Sequence, residues 1–305
     1  MPAMSDVSTF KSRIYGGRKK PTLTAEQRAG VLLWQPAPSL VVGRTRILPS
    51  GLRVRFLRIS KPQLAGRTLL FFSDTHIRAA GLRGFFPSVR QPGGTEWLGR
   101  AFHELFEAVP MPDCIAFGGD LSGDAAWIGK SLDFLRAIPS GPHKFAVCGN
   151  WELRRRWLPA DRWRELYAEA GFQLLVNETA EACGIHFLGL NDAKEGDGLS
   201  CEAAIPHSEN VCVLSHNPDT ASAMLLTDKL KGAPLILCGH THGGQFRVPW
   251  FGAVVTSSRF GKRLEYGAYR HSSTGATMYV TAGIGATWFN ARICCPPEVL
   301  FVNFC

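Results

Sequence analysis

At 305 residues with 45% hydrophobic content, the chain can bury a sizeable core in one large domain or two. Its 34 Lys and Arg against 25 Asp and Glu leave a formal charge of +9, which suits an anionic partner such as a phosphate compound, a nucleic acid or an acidic lipid surface. No uninterrupted apolar run approaches the ~18–20 residues of a bilayer-spanning helix, and nine cysteines without a CxxC pair exclude a disulfide framework and read as small core hydrophobes in a reducing compartment.

Residues 1–30, including Lys11, Arg13, Arg18, Lys19 and Lys20, are polar and basic and lack the apolar stretch of a secretory signal. We expect a flexible basic tail there and a single domain over residues 31–305. The expected location is cytoplasmic, with room for peripheral contact between the tail and an anionic inner-membrane surface.

Arg44 to Leu48 and Leu52 to Ile59 alternate in polarity about Pro49-Ser50-Gly51, the pattern of a β-hairpin with one wet, basic face. Thr68 to Phe72 is an apolar strand that runs into Asp74-Thr75-His76, so a carboxylate and an imidazole at i, i+2 leave the strand end together. Residues 79–97 form a Gly/Pro-rich loop carrying Phe85, Phe86 and Trp97 between Arg83 and Arg90; exposed, these aromatics would receive an acyl chain or a membrane, and otherwise they pack on their own domain. Leu98 to Val109 then has helical periodicity.

The next strands repeat one design. Cys114 to Phe117 runs into Gly118-Gly119-Asp120, a helical stretch covers Ala125 to Ala137, and Lys144 to Cys148 runs into Gly149-Asn150-Trp151-Glu152. Val211 to Leu214 ends in Ser215-His216-Asn217-Pro218-Asp219, and Leu235 to Cys238 ends in Gly239-His240-Thr241-His242-Gly243-Gly244-Gln245. Apolar strands that deliver polar groups at their C-terminal ends, with helices between them, are the mark of an α/β arrangement. Glycine beside Asp120, Asn150, His240 and His242 lets the backbone approach an ion or a phosphate closely, and the mixed N/O donors suit Mn, Fe or Zn. Met278 to Gly285 and Val299 to Phe304 close the chain around Arg292.

The motifs DTH, GGD, GNWE, SHNPD and GHTHGGQ, in that order from about Leu69 onward, resemble the five motifs of the calcineurin-like metallophosphoesterase superfamily. Within it, GHTHGGQ followed by TSSRFGKRLEYGAYR, VTAGIGAT and ARICCPPEV is similar to the YkuE/YaeI-type branch. The resemblance implies an α/β (α+β) fold built as a two-layer mixed β-sandwich flanked by helices. It implies two divalent metal ions, Mn foremost with Fe or Zn as alternatives. Asp74, His76 and His242 would hold one ion, Asn150, His216 and His240 the other, and Asp120 would bridge them; Asp120, Asn150 and His216 would be the catalytic residues.

The family places His after the Asn of its third motif, and this chain has Trp151. Indole donates a hydrogen bond but transfers no proton, so a poor alkoxide leaving group would be badly served. A phosphate leaving group needs charge stabilisation instead, which metals and arginines provide. Arg78, just past His76, and Arg154, Arg155 and Arg156, just past Trp151, are placed to hold a second phosphate, so Arg78, Trp151, Arg154 and Arg155 are the expected substrate-binding residues. This resembles the lipid A pathway enzymes of the chlamydial UDP-2,3-diacylglucosamine hydrolase type, which release UMP and an acylated sugar phosphate. A phosphodiesterase acting on a soluble or nucleic-acid substrate is the alternative, although no aromatic-basic RNA or single-strand motif is visible. A metal-free scaffold is the minor one. Of the remaining histidines, His103, His143, His186, His207 and His271, only His207 is a candidate for replacing the missing acid.

Overall fold

The computed structural model describes residues 25–78, 94–155, 157–193, 195, 201, 210–226, 234–287 and 291–305. The strands are β1 (Trp34–Pro36), β2 (Arg46–Ile47), β3 (Arg53–Ile59), β4 (Thr68–Phe72), β5 (Cys114–Phe117), β6 (His143–Ala146), β7 (Gln173–Leu174), β8 (Glu178–Ala182), β9 (Ile185–Leu190), β10 (Val211–Ser215), β11 (Leu235–Cys238), β12 (Arg247–Val248), β13 (Gly252–Ala253), β14 (Gly267–His271), β15 (Thr277–Val280) and β16 (Glu298–Phe304). Helices are α1 (Ala25–Leu32), α2 (Thr95–Ala108), α3 (Ile128–Arg136), α4 (Asn150–Arg155), α5 (Ala160–Glu169) and α6 (Pro218–Leu226).

Fourteen of the strands form two seven-stranded sheets, ordered β1-β14-β15-β11-β10-β9-β8 and β2-β3-β16-β4-β5-β6-β7. Both are mixed. β9, β10, β11 and β15 run parallel in one, β4 to β7 run parallel in the other, and antiparallel strands fill the flanks.

Alternate side chains of each central strand enter different cores. Leu69 and Phe71 of β4 meet Leu214 of β10 and Leu237 of β11 between the sheets, while Leu70 and Phe72 face outward into a second core with α2, α3 and α5. On the other side Val213, Ile236 and Val280 pack against α6. Burial on both faces explains the continuous apolar runs in the sequence, because a strand covered on one face alone would alternate. The result is the two-layer mixed β-sandwich flanked by helices, the expected fold class. Cys114, Cys148, Cys201, Cys212, Cys238 and Cys295 are buried.

Two expectations are corrected. The loop expected to run to residue 97 ends before Thr95, and of the two alternatives for its aromatics Trp97 takes the packed one: it sits in the first turn of α2, 7% exposed, with its indole N–H donating to the Ser50 carbonyl at 3.1 Å. It shares the helix face of Leu98, Ala101, Phe102 and Leu105, whose Phe102 ring meets Phe72 edge-on at 5.1 Å. The β2–β3 hairpin forms at the expected residues, but its basic face is not wholly wet. Arg55 turns inward to Glu298, a carboxylate 243 positions away, and to the Tyr266 hydroxyl. Phe85, Phe86, Arg83, Arg90 and the tail to residue 24 lie outside the described residues.

Candidate metal centre

The C-terminal ends of β4, β5, β6, β10 and β11 meet across the sandwich, and each contributes to one buried cluster. Five of its residues sit at left-handed φ: Asp74 (56°), His76 (42°), Asp120 (58°), His240 (70°) and His242 (52°). Such angles are uncommon outside glycine, although Asp and His tolerate them best, and they turn each side chain back toward the others. Two glycines make this crowding feasible. A Cβ on Gly149 would overlap Asp120 Oδ1, and one on Gly239 would overlap Asp74 Oδ2 and Ser73 Oγ.

Asp120 lies at the middle. Its Oδ1 accepts from the Trp151 backbone N–H at 2.8 Å, which leaves Oδ2 facing His76 Nε2 at 3.3 Å and His216 Nε2 at 3.4 Å. On one side His76 Nε2 and His242 Nε2 are 3.1 Å apart, and Asp74 Oδ1 is 3.5 Å from the latter. On the other, Asn150 Oδ1 lies 3.1 Å from His216 Nε2 and 2.7 Å from His240 Nδ1. His216 Nδ1 donates to the Gly118 carbonyl at 2.8 Å, which orients the ring with Nε2 facing inward.

All seven sequence-predicted ligands, Asp74, His76, Asp120, Asn150, His216, His240 and His242, are therefore brought together. Metal–ligand bonds of ~2.0–2.2 Å place neighbouring ligand atoms roughly 3.0–3.6 Å apart. The His76–His242, Asp120–His76 and Asp74–His242 spacings of 3.1, 3.3 and 3.5 Å match this, as does the mixed imidazole and carboxylate chemistry. The residues fit two divalent cations.

Burial and charge pull the titrations apart. Burial would raise the Asp120 carboxyl, but the adjacent His216 imidazole overrides it and holds the pKa at about 2. Burial would likewise lower His216, yet Asp120 lifts it to about 10. Asp74 is pushed up to about 6 by burial, with Asp120 adding to the effect. His76 falls to about 4 and His242 well below its ordinary value, both chiefly through burial. Two imidazoles are thus kept neutral with ring nitrogens facing each other, a donor arrangement suited to a cation.

The expected substrate residues are placed less completely. Trp151 packs edge-on against His76, ring centroids 4.9 Å apart. Arg78 is half-buried beside Gly123, and burial lowers its pKa. Arg154 and Arg155 belong to α4 but their side chains are outside what is described, as are Arg156 and His207 entirely. His103, His143, His186 and His271 stand apart, the first and third beside Glu107 and Glu181 and the last against Trp34.

Two supporting residues had no assigned role in the sequence reading. Glu152 accepts from the backbone N–H groups of Gly149, Asp120 and Leu121 at 2.8, 3.1 and 2.7 Å, joining two strand-end loops; burial pushes its pKa up to about 7. An acid just inside a helix N-terminus was a legible signal for it. Arg292 is buried and donates to the carbonyls of Gly285, Ala282, His242 and Cys295, with Nη2 3.2 Å from His242 Nδ1.

The family model described as Calcineurin-like phosphoesterase matches residues 67–244. The chain is 30% identical over 204 residues to Phosphodiesterase YaeI of Escherichia coli K12, covering 63% of this chain and 70% of that one. It is 38% identical over 198 residues to the uncharacterized metallophosphoesterase YkuE of Bacillus subtilis 168, covering 62% and 66%. To the UDP-2,3-diacylglucosamine pyrophosphatase LpxG of Chlamydia trachomatis it is 32% identical over 142 residues, covering 43% of this chain and 41% of LpxG, less than half that relative's length.

Proposed function

The chain belongs to the calcineurin-like phosphoesterase family, a family of metal-dependent hydrolases, and from that premise we propose that it cleaves a pyrophosphate, with UDP-2,3-diacylglucosamine as favoured substrate and UMP and the acylated sugar phosphate as products. Trp151 carries the reading. The indole stands where the family has an imidazole, and it packs against His76 at the centre itself. No proton can pass from it to a leaving oxygen, so the site favours leaving groups that depart as stable anions.

Asp74, His76 and His242 would hold one divalent ion and Asn150, His216 and His240 the other, with Asp120 Oδ2 shared. When bound, such a pair neutralises charge on the phosphoryl oxygens and polarises phosphorus toward attack. The chain's own part is positional. The Trp151 backbone N–H holds Asp120, the Gly118 carbonyl orients the His216 ring with Nε2 inward, and Arg78 beside Gly123 supplies a guanidinium for the second phosphate. Similarity to LpxG supports the lipid-nucleotide substrate. The longer alignment with YaeI, named a phosphodiesterase, supports the second reading, a phosphodiesterase of broader substrate range.

Rates on UDP-2,3-diacylglucosamine, UDP-N-acetylglucosamine and an alkyl phosphodiester separate the two. We expect the acylated nucleotide to be hydrolysed fastest, and Trp151→His to raise diester hydrolysis about tenfold or more while changing pyrophosphate cleavage little. Wild-type protein that prefers the alkyl diester would overturn the leaving-group argument and favour the second reading.

A further inference from the structure

The chain leaves His242 through a tight turn and enters the β12–β13 hairpin, whose tip is apolar and exposed. Val248, Trp250 and Phe251 are 49%, 104% and 62% exposed, and Val254 and Ile293 beside them 55% and 43%. Trp250 sits at φ 62°, an angle costly for an aromatic residue, and this turn holds the indole out at the apex. The root is firm: Arg247 N–H donates to the Ile293 carbonyl at 2.9 Å, Val254 N–H to Phe246 at 3.0 Å, and the Gln245 amide to Thr287 and Ala291 at 3.0 and 2.8 Å. A cleft of about 420 Å³ opens under the tip, lined by Arg247, Trp250, Glu265 and Cys294 among others and by none of the metal-centre residues.

The charge along this stretch is mostly positive. From Arg247 to Glu265 the chain carries Arg247, Arg259, Lys262 and Arg263 against Glu265, which is paired with Arg247 at 3.0 Å, while Asp219 from α6 accepts from the Arg259 backbone N–H. Lys262 lies over the Phe251 ring and donates to the Phe251 carbonyl at 2.9 Å, so a cation stands at the level of the aromatic tip.

We propose that this hairpin docks the protein onto an anionic lipid bilayer, with Trp250 and Phe251 seated in the interfacial layer and Lys262, Arg263 and Arg259 against the headgroups. Aromatic side chains with an adjacent polar edge settle at the membrane–water interface, and lysines and arginines beside them are drawn to an anionic leaflet. A convex wedge suits a bilayer, which yields around it. A protein partner would need ~800 Å² of matched surface per side, more than five side chains on a turn supply. Because the root of the hairpin is bonded into the segment after His242, docking would fix the centre at a short distance from the lipid surface. The inference goes beyond the hydrolase reading and does not depend on it.

The test uses full-length protein and co-sedimentation with vesicles of phosphatidylglycerol and phosphatidylcholine, or of phosphatidylcholine alone, without substrate. Wild-type protein should bind the anionic vesicles and bind the zwitterionic ones weakly. W250S/F251S should bind the anionic vesicles about tenfold less, and K262Q/R263Q should lose the preference for them, both with unchanged thermal melting. A variant with Lys11, Arg13, Arg18, Lys19 and Lys20 all changed to Gln should bind as wild type. Absence of wild-type binding, equal binding of W250S/F251S and wild type, or loss of binding only in the tail variant would overturn the proposal. So would a concentration-dependent dimer that W250S/F251S abolishes without any vesicle binding, since the tip would then meet a second copy. Failure of UDP-2,3-diacylglucosamine hydrolysis leaves this measurement unaffected.

Discussion

At the entry to β4 and β5 the Asp113 carboxylate accepts from the Thr68 N–H at 2.8 Å, the Thr68 hydroxyl at 2.9 Å and Arg67 at 3.1 Å, in a half-buried setting. At the exit of the same strands Asp74 and Asp120 are buried, at left-handed φ, and flanked by imidazoles. One residue type thus serves two tasks in the same parallel register. The entry carboxylate is matched by ordinary donors and its pKa is lowered, so it ties two strands together. At the exit, Asp74 is kept above its ordinary pKa by burial, and Asp120 is kept below chiefly through its neighbour His216, with His76 and the Trp151 N–H adding to the effect. The chain concentrates its backbone strain and its unusual electrostatics at the C-terminal ends of parallel strands, where loops from several strands converge without interrupting the ladder.

The largest effect that would test this contrast is at Asp120. Purified protein should carry nearly two equivalents of Mn, Fe or Zn by elemental analysis, and Asp120→Ala should lose most of both, because its Oδ2 faces both halves of the cluster. Hydrolysis should fall about a thousandfold or more. A variant that keeps one full equivalent and most of its activity would show that Asp120 is not shared.

Next in size is Arg292, which supports the exit side from behind. Its guanidinium donates to four carbonyls and stands beside His242, and Arg292→Ala would leave those acceptors buried without it. Urea denaturation should report a loss of ~3–5 kcal/mol, with Arg292→Lys recovering only part, since one ammonium cannot span the same fork. A loss below ~1 kcal/mol would mean that the exit loops hold themselves.

The ligands were legible from sequence because each follows an apolar strand within four residues, so local order alone delivers them to one edge. The supports were not. Arg292 bonds mainly to carbonyls, which no side-chain pattern marks, and Glu298 gathers Arg55, Tyr266, Tyr279 and Thr281 from three other strands or loops. Sheet order was hidden for the same reason. β16, the last strand, inserts between β3 and β4, parallel to one and antiparallel to the other. Trp97 was a misreading of a legible signal: it continues the helical spacing of Leu98, Ala101 and Phe102, but the Gly/Pro-rich residues before it suggested a loop. The hairpin tip at Trp250 left no mark, since only exposure distinguishes it from the buried tryptophans.

The smallest effect lies at the entry. Burial alone would raise the Asp113 carboxyl, but the bonds from Thr68 and Arg67 bring its pKa below the ordinary carboxylate value. A carboxylate held low in the folded state adds stability above its unfolded pKa of ~3.9, and that stability is lost as pH falls through the lower folded value. At neutral pH, Asp113→Asn should therefore cost only ~1 kcal/mol, because the group is partly open to water and screened. The gap between variant and wild type should stay constant from neutral pH down to ~pH 5, then narrow as the carboxylate protonates. Metal content and hydrolysis should be unchanged, since Asp113 is at the far end of strands whose exits hold the centre. Urea denaturation across this range, paired with elemental analysis, measures both; a fall in bound metal in Asp113→Asn comparable to that in Asp120→Ala would erase the distinction between the two ends.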